Sequence, residues 1–251
     1  MFIGDDRCVY LNGGMAIKLL TRRYRRTIGK KLPSKDYDFT FAKSRRPTKR
    51  DFVIMCSFLS KLGKEFAKTI GGKAIIKKTF FDEPKLQNAA KQKYLHGHIA
   101  VNILLNGKED DLMDGVLMHF PGVNSDLLNK TMSVKYGVPL PKMGTLFIDT
   151  ATVVKKTLVS NGYNGWRNPI KSTHPKHPEN YKKKGLKNIN RLLVMGNILS
   201  KDGKYKKLLN DVKLLNSTIK NTTMSIKRKL KFGTVIGKSM NFKIQEIKNL
   251  D

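Results

Sequence analysis

Two aspartates separated by a single residue lie in the stretch Ser34-Lys35-Asp36-Tyr37-Asp38-Phe39. From Lys35 to Ala42 the residues alternate, with Tyr37, Phe39 and Phe41 on one side and Asp36, Asp38 and Thr40 on the other, as in a strand. Both carboxylates then leave the same face while the aromatic side chains anchor the strand in a core. Hard oxygen donors on a rigid strand suit Mg²⁺, which takes carboxylates together with substrate phosphates. A pair of such ions can stabilise the attacking and the leaving oxygen of an in-line phosphoryl displacement. Upstream, Gly13-Gly14 stands directly before a helical run. Backbone N–H groups and the positive end of that helix could receive a triphosphate there. Each feature also has a plain reading, the first as two solvated acids and the second as an ordinary turn. Their order along the chain is what adds information.

The stretch Leu11-Asn12-Gly13-Gly14-Met15-Ala16-Ile17-Lys18-Leu19-Leu20, followed by Ser34 to Phe39, resembles the polymerase-beta-like nucleotidyltransferase superfamily. That pattern is a glycine turn, a helix, then Asp-x-Asp on the next strand. The wording is most similar to branches that include the AbiEii-type nucleotidyltransferases and the poly(A) polymerase catalytic domains of large DNA viruses. The resemblance covers about the first 45 residues well. One departure is Met15, which stands where a Ser or Thr hydroxyl often touches phosphate. Another is the long basic linker from Gly14 to Asp36, carrying Arg22, Arg23, Arg25, Arg26, Lys30 and Lys31.

The resemblance implies an α+β fold, with a mixed β-sheet flanked by helices and a mainly helical second part. It implies catalysis with Mg²⁺ or Mn²⁺ and an NTP substrate, ATP being the first expectation. It also implies a third carboxylate on a neighbouring strand, acting as metal ligand or as base for the attacking hydroxyl. Asp114, in Leu112-Met113-Asp114-Gly115-Val116-Leu117, is the choice, because an acid inside an apolar strand is costly without a partner. Asp110 and Asp111 are rivals beside a turn, and an acid facing solvent from an edge strand is the plainer reading of Asp114. Downstream, Phe147 to Lys156 is similar to a helix that presents a lysine to the nucleotide phosphates in these branches, through Lys156 or Lys155. Lys182 to Arg191, with Lys187, resembles the helix that follows it. In a chain this basic, a solvated lysine is the commoner outcome at any one position.

Other residue clusters carry less. His96 and His98 flank Gly97 and are expected on one strand face, while His174 and His177 lie in a basic loop. Neither pair has a cysteine or acid at zinc-ligand spacing, so no zinc site is expected. Trp166, beside Arg167 and Lys171, could stack on a base or simply anchor its loop.

The elements that must position these residues follow from periodicity and punctuation. A helix is expected from Met15 to about Arg26, and a second one opens at Pro47-Thr48. Apolar Phe52, Met55, Leu59, Leu62 and Phe66 step along that second helix by threes and fours. Gly71-Gly72 ends it, and Lys73 to Phe81 reads as a strand. The runs Tyr94–Leu105 and Leu112–Phe120 flank Asn106-Gly107, a strong hairpin signal. A catalytic domain over residues 1–125 and a mainly helical basic domain over 126–251 are the resulting division. In the second, Thr145 is expected to cap Leu146–Ser160, with helices at Leu186–Leu199 and Tyr205–Thr218 and a basic loop over 162–184.

Charge sets the partner. Fifty Lys and Arg against nineteen Asp and Glu give a formal charge of +31 and, with 39% hydrophobic residues, describe a globular but strongly basic chain. Such an excess repels itself unless a polyanion neutralises it, which points to nucleic acid, RNA before DNA given the resemblance. Cys8 and Cys56 form no disulfide framework or metal motif, so a reducing intracellular setting is expected, cytoplasm or virion. No signal-peptide run opens the sequence, and no stretch nears about 18 consecutive apolar residues, so no membrane segment is expected. The leading functional expectation is transfer of a nucleotide from an NTP to a hydroxyl, such as an RNA 3′ end. The alternative is a catalytically silent relative that binds nucleic acid in a viral or polymerase assembly. A toxin-type transferase differs from the first only in its acceptor.

Overall fold

A computed structural model of the chain describes residues 3–4, 7–22, 36–88, 93–121, 132–135, 137–159, 178–201, 206, 209–210 and 212–213. Two compact units share it. The first comprises Met1–Leu19 and Ser34–Lys142, the second Leu20–Pro33 and Met143–Asp251. The first unit thus extends as far as Lys142.

The first unit is a mixed sheet with a helix against it. Strands β1 (Ile3–Gly4) and β2 (Arg7–Asn12) lead into α1 (Gly13–Leu20), then β3 (Tyr37–Lys43) and α2 (Lys49–Thr69). Strands β4 (Lys73–Asn88), β5 (Lys93–Leu105) and β6 (Lys108–His119) follow, and the sheet order is β1-β2-β3-β6-β5-β4. The single parallel pair of this sheet among the described strands is β3 with β6; its other neighbours run antiparallel. A small hairpin, β7 (Met132–Lys135) and β8 (Val138–Pro141), packs beside β2, where Met132 lies against Cys8 and Ala42.

Local chemistry accounts for these elements. Thr48 caps α2 in a capping box: its hydroxyl receives the Asp51 N–H while the Asp51 carboxylate accepts from the Thr48 N–H at 2.8 Å. The same carboxylate group takes an ion pair from Lys43 at 2.8 Å, which ties the end of β3 to the start of α2. Gly71 ends α2 with φ at +72°. Asn106 and Gly107 both have positive φ, the two-residue turn that the Asn-Gly signal demands, and the β5–β6 hairpin closes on it.

The core lies between α2 and one face of the sheet. Phe52, Met55, Cys56 and Leu59 meet Ile99, Val101, Ile103, Met113 and Leu117, with Tyr37, Phe39 and Phe41 along the edge. The helix settles close because glycines remove side chains at its contacts. A Cβ at Gly97 would meet Phe52, and one at Gly115 would meet Leu59 and Ile99. The expected stripe on α2 is therefore corrected in its second half. Gly63 and Ala67 carry the buried face onward, Gly63 against Val101, while Leu62 and Phe66 remain 39% and 40% exposed. A helix that beds this deeply turns its smallest residues inward.

In the second unit, α3 (Met143–Val159) packs on α4 (Pro178–Leu199), and Leu146, Phe147, Ile189, Leu192 and Met195 are buried there. Two sequence expectations shift. Helix α3 begins at Met143, so Thr145 lies inside its first turn and not at a position ahead of the helix. Helix α4 begins at Pro178 and so absorbs the end of the expected 162–184 loop; proline is favoured at a first helical position. Residues 160–177, with Trp166, His174 and His177, are outside the described residues, as are the linker arginines after Arg22. Helical residues appear at 206, 209–210 and 212–213 within the expected third helix. No helix among the described residues is long and apolar enough to cross a membrane.

Candidate metal and nucleotide site

Register builds the site. In the parallel pair, Asp38 of β3 stands directly opposite Asp114 of β6. In the antiparallel pair on the other side, Asn12 of β2 stands opposite Asp38. Strand alternation turns Tyr37, Phe39, Met113 and Leu117 toward α2, so Asp38 and Asp114 leave the opposite face. Asp36 sits in a bend one residue ahead of β3, slightly outside the strand expected to hold it. One carboxylate oxygen from each of Asp36, Asp38 and Asp114 lies within 4.8 Å of the others, and all three residues are half-buried.

Gly13 completes the arrangement. Chain pairing ends at Asn12↔Asp38, so the next residue must turn off the sheet above the Asp38 carboxylate. Gly13 does so with φ at +64°, and a Cβ there would collide with the Asp38 carboxyl group. Only glycine meets both demands at once. Helix α1 starts at this residue and buries Gly14, Met15, Ala16 and Ile17. Met15, in the place of a Ser or Thr, thus serves packing and presents no hydroxyl. The first turn of α1 leaves N–H groups unpaired within the helix beside the acids, a combination suited to phosphate next to metal.

A bulge decides which acid joins. On β6, Val101↔Met113 is followed by Asn102↔Asp111, which leaves Leu112 as the extra residue. Leu112 enters the core with Met113, although strict alternation would put it on the face of Asp114. Bulges near sites commonly re-aim side chains in this way. The rivals Asp110 and Asp111 lie on the exposed side of the bulge, and Asp110 is 3.9 Å from Lys108.

The histidine pair separates. A second bulge, between Leu95 and Gly97, makes His96 the extra residue of β5. His96 is buried, edge-on to His119 with ring centroids 6.0 Å apart, and burial foremost, then His119 and Arg46, lowers its pKa. His98 instead brings Nε2 to 3.3 Å from Asp114 Oδ1. Nothing in the sequence signals this contact, because a pattern of period two reads through a bulge without noticing it.

The two lysines belong to the second unit. Lys156 is on α3, with its side chain outside the described residues, and Lys187 is half-buried on α4, both in the second unit. A cavity of about 460 Å³ in the first unit is lined by α2 and β4, among them Cys56, Ser60, Lys61 and Lys78. It shares no residue with the acidic group, and size alone gives it no chemistry.

Neither a protein-family model nor a curated protein sequence matches the chain significantly. Among solved structures, the chain is similar to JHP933 from Helicobacter pylori, at 12% identity and TM-score 0.33 over 95% of this chain and 85% of that one. It is also similar to a candidate nucleotidyltransferase from H. pylori, at 13% identity and TM-score 0.31 over 95% and 88% of the two chains. Superposition this loose says nothing of activity.

Proposed function

We propose that this protein is a metal-dependent nucleotidyltransferase that moves a nucleotide from an NTP, ATP first, to a hydroxyl acceptor, an RNA 3′ end. The observation that carries this reading is the meeting of Asp36, Asp38 and Asp114 within 4.8 Å, beside a Gly13 that leaves Asp38 its space. Three hard, half-buried carboxylates without thiolate or imidazole among them fit Mg²⁺ or Mn²⁺ by donor chemistry. When bound, such ions offset the charge that develops on the attacking and leaving oxygens. Asp36, Asp38 and Asp114 would hold them. Gly13 and Gly14 would let the triphosphate approach the first turn of α1, where backbone N–H groups orient it. Asp114, on the strand beyond Asp38, would accept the proton of the incoming hydroxyl or fix that hydroxyl in line. The excess of +31 is proposed to hold the RNA.

A protein that only binds nucleic acid has no use for a third carboxylate in register with the second. Like charges this close repel, and a divalent cation among them turns that repulsion into attraction. The test is incubation of the purified chain with Mg²⁺ or Mn²⁺, each labelled NTP and an RNA primer. Extension or labelling that disappears in Asp38→Ala is expected. No incorporation with any metal, NTP or acceptor, or activity unchanged in Asp38→Ala, would remove the proposal.

A further inference from the structure

His98 lies on the side of the acids away from Gly13. Reading across the sheet, one row of paired residues runs Asn12, Asp38, Asp114, Ala100, Lys77. The next row on the same face runs Tyr10, Thr40, Val116, His98, Thr79. Gly13 and the start of α1 continue from the β2 end of the first row. His98 is on β5, the strand beyond Asp114, so the phosphate end and His98 flank the acids from opposite sides. An in-line displacement requires the attacking oxygen and the departing pyrophosphate on opposite sides of the phosphorus. With the triphosphate at α1, as proposed, an attack along the sheet would come from the β5 side.

His98 is diagonal to Asp114, a spacing within reach of long or aromatic side chains. The Nε2 to Oδ1 separation is 3.3 Å, and the two side chains are 38% and 41% exposed, so an incoming substrate can reach the pair. A carboxylate on a strand turns about two side-chain bonds, and one donor to Oδ1 is enough to fix where Oδ2 points. His96 offers no substitute, since it is buried beside His119.

We infer that His98 is a positioning residue for Asp114: its Nε2–H donates to Oδ1 and aims Oδ2 at the ion and the acceptor hydroxyl. The inference rests on the proposed nucleotidyltransferase reading, and the experiment separates the two. Mn²⁺ binding to the full chain is followed by electron paramagnetic resonance for wild type, His98→Ala, His98→Asn, His98→Gln and Asp38→Asn, with melting curves for each. Wild type binding that Asp38→Asn abolishes is expected. His98→Ala is expected to weaken Mn²⁺ binding by roughly tenfold, the lower end for groups that orient a metal ligand. His98→Asn, too short to reach, should match alanine. His98→Gln, whose amide N–H lies near the position of Nε2–H, should return binding to within about threefold, a fraction of one charge-assisted hydrogen bond. The three His98 variants should melt with wild type. If wild type binds Mn²⁺ and the three His98 variants bind alike, whether all weak or all strong, the inference is overturned and the proposed function stands. If wild type binds no Mn²⁺, the proposed function is lost and this inference with it.

Discussion

Alanine at Gly13 separates two costs that the fold places on one residue. The first is the left-handed backbone, φ +64°, which an L side chain resists by about 1–2 kcal/mol. The second is the Asp38 carboxyl group, which occupies the space a Cβ would need. Making room for that methyl adds about 1–3 kcal/mol, as for overpacking generally. Gly71 provides the reference: its φ is +72°, and nothing lies within 4 Å of the place a methyl would take. Gly71→Ala should therefore show the backbone cost alone. Each kcal/mol lowers Tm by roughly 2–4 °C in a chain of this size, so drops of about 2–8 °C for Gly71→Ala and 4–20 °C for Gly13→Ala are expected. Thermal melts with and without Mg²⁺, alongside Mn²⁺ titration, provide the comparison. Gly13→Ala should lose metal binding as Asp38 is displaced, while Gly71→Ala should keep it. Equal destabilisation of the two variants, with metal binding intact in both, would refute the role of Gly13 as the residue that makes room for Asp38.

Thr48→Ala should cost about 1 kcal/mol in urea unfolding through loss of the α2 cap, and Thr48→Ser should recover most of it. Gly115→Ala should cost about 1–3 kcal/mol, because its methyl would meet Leu59 and Ile99 in the core; a variant as stable as wild type would contradict the close seating of α2. Burial keeps His96 neutral in the fold, with a pKa lowered from its usual value. The unfolded chain takes up that proton below a pH of about 6.5, so stability is full above this value and declines as pH falls. Melting curves between about pH 5 and 8 should show that decline, and His96→Leu should flatten part of it.

Local signals were the legible part of this fold. The glycine turn before α1, the Tyr37–Phe41 alternation, the helix start at Pro47-Thr48 and the Asn106-Gly107 hairpin each depend on residues a few positions apart, and all have a direct backbone cause. Asp114 was legible only as an acid in an unfavourable place. What brings it to Asp38, 76 positions earlier (114 − 38), is a parallel pairing that no short-range pattern specifies. The bulges at Leu112 and His96 were hidden for a related reason: each inserts one residue and reverses the alternation beyond it. Hence Leu112 and Asp114 part company, as do His96 and His98. On α2, apolar spacing suggested Leu62 and Phe66 for the core, but proximity to the sheet selects Gly63 and Ala67. The short strands β1, β7 and β8 carry too few residues for a period to show, and the apolar run Cys8–Leu11 of β2 does not alternate.

In the proposed site, Asp36, Asp38 and Asp114 would hold divalent cations against a triphosphate seated at Gly13-Gly14. A crystal structure of the chain with Mg²⁺ and a non-hydrolysable ATP analogue tests it most directly. Metal density touching all three carboxylates is predicted, with the phosphates against the first turn of α1. Nucleotide bound elsewhere, or phosphates at α1 with no metal on the aspartates, would contradict it.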